Sequence, residues 1–572
     1  FQFDPNQRVA DSMKSIWRVL VKEPKKTLDQ YYEVIMGDLL KGLGDRLWRT
    51  RESCCLALSD LLHSRQISEL EPYLENTWTM CFRALDDIKE SVRVAAFTTC
   101  KTLTNITVKY CDPSVVGGKE GQKVMDVVVP FFLTKGLGSA AEDVRKFSLS
   151  TILKICKKGG ILLRPHLTEI IGTLLESLSS LEPQSMNYLS FHTEKYGITQ
   201  DQLDSARLSS TKLSPMMDAI ETCVDQIDSS VLETLVPRLT TLIRKGVGLP
   251  TKAGCARFVY SLVQRLPLDI RLHADAILRA LSGAVQDRSP VVRKSFATAI
   301  GHICRVASDP AIEKLLLHLR KGYLEAEPDD ESRAVAGIAV LEMARHASDR
   351  MKAHQAVLLP LAYLGARDVD PAIKAVWVDA WEESTAGAAA GAVRLWLAEL
   401  VDAVQVLIGT TPSWGVKRQV AVALADMASS IGTAFEPQME RAIRMLLDAL
   451  AGRTWDGKES VVEALATVSI EGKAWFASPA SSPHLDEVLK PYRKVAVEQL
   501  GRVLDELEVD RFDEVEDYLV EVASAEEDPD AMDVDEPRQK PLALAIRANA
   551  FKAIGRAWPK VYATQGWAAS EI

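Results

Sequence analysis

A chain of 572 residues with 47% hydrophobic and 26% charged side chains has the composition of a globular protein, and with only 6% aromatic residues its apolar positions fall mainly to Leu, Ala and Val, which favours helices. The formal charge of −10 argues against a surface given over to nucleic acid, because phosphate binding needs concentrated Lys and Arg. Apart from adjacent Cys54 and Cys55 the nine cysteines are scattered, mostly within apolar stripes and without a CxxC pair, the usage of reduced core thiols in a cytosolic or nuclear protein, and no run of about 18 apolar residues is present to span a membrane.

The chain starts at Phe1, without methionine and already inside a helical pattern, and so reads as a piece of something longer. Asp4-Pro5-Asn6 leads into a helix through Val9, Met13, Ile16 and Leu20, with Arg8 in an arginine position that recurs; this is a second helix without its first. An amphipathic helix follows from Leu28 to Leu43. Gly44-Asp45 then turns the chain, and Arg49 to Leu58 opens the next helix with Arg51 six residues after Asp45. The third copy, Leu70 to Leu85 with Asp87 and Arg93, is the clearest. There Asp87 and Glu90 have the spacing of an N-terminal capping pair, and Val92, Ala96, Cys100 and Leu103 form one apolar stripe. A fourth copy runs from Val124 to Leu137 with Arg145, where Ser139 replaces the aspartate.

Later copies centre on Arg257, Arg293, Arg333, Lys374, Arg418 and Lys458, and Asp287 with Arg293 restores the full spacing. The repeat of about 36 to 44 residues is that of HEAT or armadillo arrays, and predicts an all-α solenoid of stacked antiparallel helix pairs. Pro130, Pro237 and Pro360 fall near one phase of the first helix, where a bend is expected. An arginine fixed one to two turns into a helix reaches the aspartate of a stacked neighbour, so Asp45, Arg51, Asp87, Arg93, Arg145, Asp287 and Arg293 are read as a structural ladder.

Two segments break the rhythm. Glu182 to Ser214 is polar with little helical stripe and reads as an inserted loop; Glu526 to Glu536 is acidic with Pro529 and Pro537 close by, the composition of a disordered insertion. The chain therefore divides into HEAT-like repeats over 1–181, an inserted polar loop over 182–214, repeats again over 215–523, an acidic insertion over 524–540 and a terminal helical repeat over 541–572.

Chemical signals are sparse. Gly246 to Lys252 has the flavour of a phosphate-binding loop, but Ala253 stands where Ser or Thr is needed and no strand precedes it, so a helix-terminal turn closed by glycines is the better reading. The histidines form no HxxxH or Cys/His cluster, and no nucleophile turn or shielded carboxylate pair is present; no enzyme activity, metal or cofactor is expected. Trp48, Trp414 and Trp455 each fall in the turn between paired helices. They either plug gaps between repeats or anchor a partner, and Arg453 and Lys458 around Trp455 favour a partner site there, with the capping of helix ends by both cations as the alternative.

Several stretches are more specific than any HEAT pattern: Trp48 to Leu62, Asp86 to Arg93, Asp204 to Ser209, Ser214 to Met217, Val247 to Ala256, and Leu450 to Glu459. Together they resemble the C-terminal part of the proteasome adaptor and scaffold protein family. The resemblance spans nearly the whole chain and departs most around Ala525 to Lys540 and around Thr385 to Ala392. It implies a non-catalytic protein, cytoplasmic and nuclear, that contacts the proteasome core particle and the regulatory ATPase subunits, steadies or inspects their assembly, restrains activity, and links proteasomes to vesicle and motor proteins. The alternative is another HEAT-repeat scaffold, a nuclear transport carrier or a translation-associated protein.

Overall fold

The computed structural model describes residues 1–63, 65–180, 188, 195, 197–324, 330–410, 413–451, 457–478, 484, 485, 488, 497–508, 520, 548 and 550–556. Among them the chain is helical without a strand. It divides into two compact units, Phe1–Ala299 and Ile300–Ile572. Each is a run of HEAT/armadillo-type helix pairs.

In the first unit Leu74–Leu85 pairs with Glu90–Tyr110, and Gly118–Phe131 meets Glu142–Lys158 through its continuation Phe132–Gly136; the second helices pack side by side, Trp48–Leu62 on Glu90–Tyr110. Periodicity dictates this. Val92, Ala96, Cys100 and Leu103 are all completely buried, so the apolar stripe read from the sequence is the buried face. An aromatic cluster fills the space between these pairs, with Trp78 edge-on to Phe132 at 4.7 Å between centroids and Phe82 against Phe131 at 5.3 Å. Pro130 and Pro237 lie inside their helices. Proline withholds the backbone donor of one helical turn, and the helix of Pro130 passes into a wider π turn at Phe132–Gly136.

The segment 182–214 departs from the polar loop expected of it. Gln200–Lys212 is a helix opened by a capping box, in which the Thr199 hydroxyl accepts from the Gln202 amide and the Gln202 side chain accepts from the Thr199 amide. It packs on Leu249–Arg265. The sequence gives little sign of this helix because Leu203, the anchoring residue, stands almost alone among polar neighbours. Asp204 is buried beside it and accepts a hydrogen bond from the Ser289 hydroxyl at 2.7 Å. The acidic stretch Glu526 to Glu536 lies outside the described residues.

In the second unit Asp330–His346 packs along Pro371–Thr385, and Trp414–Ile431 along Lys458–Glu471. The indole of Trp377 is fully buried, edge-on to Tyr323 at 5.3 Å, and donates from Nε1 to the Arg333 carbonyl. It sits where Gly337 and Gly365 leave room; a Cβ at either would run into the ring. Pro360 lies inside the buried helix Gln355–Gly365.

His302 of this unit is buried and stacked on His346, ring centroids 4.0 Å apart. Burial first, then the neighbouring His346 and Arg305, lower its pKa from the ordinary 6.5 to about 4, while Glu342 pulls the other way. A folded state that refuses a proton the unfolded chain accepts loses stability as pH falls. His302 therefore contributes fully above about pH 6.5 and progressively less down to about pH 4. The variant His302→Phe is expected to flatten the unfolding midpoint against pH across that window; an unchanged slope in urea titrations would show that another group sets it.

Candidate partner-binding edges and the ionic ladder behind them

The turns between paired helices are built by one recurring device. The Asp87 carboxylate accepts from the Lys89 amide at 2.8 Å, closing a two-residue side-chain turn, and the helix begins only at Glu90. The same bond joins Asp45 to Leu47 at 2.7 Å, Asp287 to Ser289 at 3.1 Å and Asp368 to Asp370 at 3.0 Å. At Ser139 the hydroxyl accepts from Ala141 instead. Asp87 and Glu90 thus do not form a capping pair. Lys89 is the residue before the helix, and Asp87 lies too far upstream, its oxygen already engaged by the turn.

The arginine six residues on binds the carbonyl of that same aspartate. Arg51 Nη1 donates to Asp45 O at 2.9 Å, Arg93 to Asp87 O at 2.8 Å, Arg145 to Ser139 O at 2.8 Å and Arg293 to Asp287 O at 3.0 Å. Arg93 and Asp87 therefore meet through the main chain, and the aspartate side chain takes its cation from elsewhere. Arg51 grips the Asp87 carboxylate with two bonds, Nε to Oδ2 at 2.6 Å and Nη2 to Oδ1 at 2.9 Å, reaching one repeat forward. Lys252 reaches Asp287 at 2.5 Å and Arg333 reaches Asp368 at 2.5 Å across the same interval. The cation of the Leu249–Arg265 helix is thus Lys252, whereas Arg257, placed in that position from the sequence, turns to Glu221 of the Pro215–Val224 helix at 3.4 Å. The engagement of Lys252 also accounts for the Gly246 to Lys252 turn. It closes one helix and opens the next with Gly248 at φ 86°, a conformation costly for any side chain.

Asp368 is the deepest of these nodes, its side chain wholly removed from solvent. Besides Arg333 it accepts from the Tyr323 hydroxyl at 2.7 Å, and the Gln419 amide donates both to Tyr323 and to the Leu364 carbonyl. Burial, followed by the adjacent Asp368 charge, pushes the Tyr323 pKa well above the usual phenol range.

Outside the ladder, the turn edges carry aromatic groups under cations. Trp48 opens its helix with Lys89 5.0 Å and Arg49 5.5 Å from the ring. Trp414 opens Trp414–Ile431, is 50% exposed, and has Lys417 4.8 Å from its ring. Arg453 and Trp455 lie outside the described residues. Lys458 is the first residue of its helix and only 8% exposed, which corrects its expected role as a partner-facing cation: packing at the helix start covers it. Among the described residues no His, Cys, Asp and Glu group could hold a metal ion, and no helix is long and apolar enough to cross a membrane. Burial pushes the thiols of Cys111, Cys255 and Cys304 up to about 12.

Over 163–324 the chain matches the family model described as the HEAT-repeat domain of the proteasome adapter and scaffold protein ECM29, and over 490–567 the model of ECM29 C-terminal ARM-like repeats. The human proteasome adapter and scaffold protein ECM29 is 37% identical over 99% of this chain. The chain belongs to the Ecm29 family. The Drosophila melanogaster proteasome-associated protein ECM29 homolog is 30% identical over 98% of it, and the Saccharomyces cerevisiae proteasome component ECM29 28% over 82%. The chain spans 32% of the human and fly Ecm29 proteins and 25% of the yeast one. The solved karyopherin Kap121p overlays with a TM-score of 0.37 at 13% identity, covering 97% of this chain and 52% of that one, too loose a likeness to carry an argument.

Truncating a ladder aspartate strands the cation facing it. Asp87→Ala is expected to cost about 1 to 3 kcal/mol, and Asp368→Ala about 3 to 5 kcal/mol because its partners are buried, as read by denaturant unfolding; equal costs would deny the role of burial. The hydrogen bond from Arg51 holds the Asp87 carboxyl below its ordinary value of 3.8, with the Lys89 amide adding to the effect and burial opposing it. The stabilising contribution of Asp87 is therefore complete above the ordinary value and is lost as pH falls through the lowered one. Asp87→Asn should remove that part of the acid-unfolding limb.

Proposed function

We propose that this chain is a non-catalytic scaffold segment that binds the proteasome, contacts both the core particle and the regulatory ATPase subunits, steadies or inspects their assembly and restrains their activity, in the cytoplasm and nucleus. The observation that carries the reading is 37% identity to the human proteasome adapter and scaffold protein, sustained over 99% of this chain. The geometry supports it: within each unit buried and half-buried ion pairs fix neighbouring repeats in register, so the Trp48 edge of the first unit and the Trp414 edge of the second are each held on the packed helices of their own unit. Arg453 and Trp455 contribute, in this reading, to partner binding as well, and the chain also serves links to vesicle and motor proteins.

The chain, immobilised and incubated with intact proteasomes, should retain core-particle and ATPase subunits, identified by mass spectrometry, and release them as salt is raised. The double variant Trp48→Ala with Arg49→Glu should lower recovery several-fold with unchanged far-ultraviolet circular dichroism. Recovery of nuclear-transport cargo or translation factors in place of proteasome subunits would overturn the reading.

A further inference from the structure

The second helices Glu90–Tyr110 and Glu142–Lys158 of the first unit lie side by side, fixed at two levels: Phe97 is edge-on to Phe147 at 5.9 Å, and the Thr104 and Thr151 hydroxyls are 3.3 Å apart. Their outward face is unusual in two respects. It exposes large apolar groups, Val94 at 62% and Phe97 at 50%. Beyond these it is basic: Lys101, Lys109, Lys154 and Lys157 are all exposed, and neither helix carries an Asp or Glu after its first turn, in a chain whose net charge is −10. Glu90 and Asp143 stand exposed in the first turns, at one end of the face, and most other acids nearby are engaged. Glu142 pairs with Lys146 at 2.6 Å, Glu52 of the flanking Trp48–Leu62 helix accepts from Ser91, and Glu221 of the flanking Pro215–Val224 helix is held by Arg257 and Arg265. Exposed Asp60 and Asp218 on those flanking helices bound the basic strip, which is therefore two helices wide. Lys158 is drawn aside toward Asp112 at 3.9 Å.

The same unit shows what such a face receives. Val94 and Phe97 stand one and four residues after the ladder cation Arg93; the matching positions after Lys252 are Ala253 and Ala256, each only 4% exposed. On that helix, Leu249–Arg265, sits the inserted helix Gln200–Lys212, anchored by a buried Leu203 beside the acid Asp204. We propose that the face of Glu90–Tyr110 and Glu142–Lys158 is a docking site for an acidic amphipathic helix of another protein, whose apolar anchor covers Val94, Phe97 and Phe147 while its carboxylates meet Lys101, Lys154 and Lys157. The exposed apolar group supplies the anchor point, and the lysines supply steering and orientation. This site is distinct from the tryptophan-bearing turns and stands whichever assembly the chain serves.

The test uses the whole chain and a fluorescein-labelled glutamate-rich peptide carrying leucines at helical spacing, read by anisotropy. Binding should weaken as salt rises. The pair Lys101→Glu with Lys154→Glu should reduce affinity about tenfold or more, since it replaces attraction by repulsion at two contacts. Phe97→Ser should also reduce it, though it gives up the contact with Phe147 as well; Val94→Ser, at a residue 62% exposed, should reduce it while circular dichroism and thermal midpoint hold. Undiminished binding by these folded variants overturns the proposal. So does equal binding of the peptide with its leucines changed to serine, which would make the face a simple polyanion sink. Preferential binding of single-stranded RNA or of phosphatidylserine vesicles through the same lysines would likewise overturn the assignment to a protein segment.

Discussion

The structure depends on an aspartate at the turn of a helix pair that satisfies three demands at once. Its carboxylate closes the turn on the amide two residues on, its carbonyl receives the arginine of its own helix, and its remaining lone pairs take the cation of the repeat before. Each bond alone is modest. Their convergence on one residue means that the turn, the start of the helix and the stacking of the neighbouring repeat are set together, so helical register passes from one pair to the next. Where serine replaces the aspartate at position 139, the turn and the carbonyl contact survive, because a hydroxyl accepts and the backbone is indifferent to the side chain.

Burial grades these nodes. Asp87 keeps some access to solvent, whereas Asp368 has none and recruits Tyr323 and Gln419 to complete its shell. An ion pair out of water stabilises only when every lone pair is met, which is why the buried node is a network and the outer one a pair. A frame held in this way leaves two sorts of surface for other proteins, the turn edges and the outward faces of second helices. The inserted helix Gln200–Lys212 occupies one such face, and the basic, partly apolar face of Glu90–Tyr110 and Glu142–Lys158 stands exposed. For a member of the Ecm29 family this separates the residues that maintain the scaffold from those proposed above to meet partners.

Helix pairs, their period and the buried stripe through Val92, Ala96, Cys100 and Leu103 follow from the order of residues alone, because helical geometry converts spacing of three and four into a common face without help from distant parts of the chain. The six-residue interval from aspartate to arginine is equally local, and its contact is to backbone, so it recurs even at Ser139. Contacts between repeats are another matter. That Arg51 takes Asp87, that Lys252 and not Arg257 takes Asp287, that Lys458 is covered, and that a polar stretch with one buried leucine becomes a seated helix were settled by packing, since no local spacing encodes the approach of one helix to another.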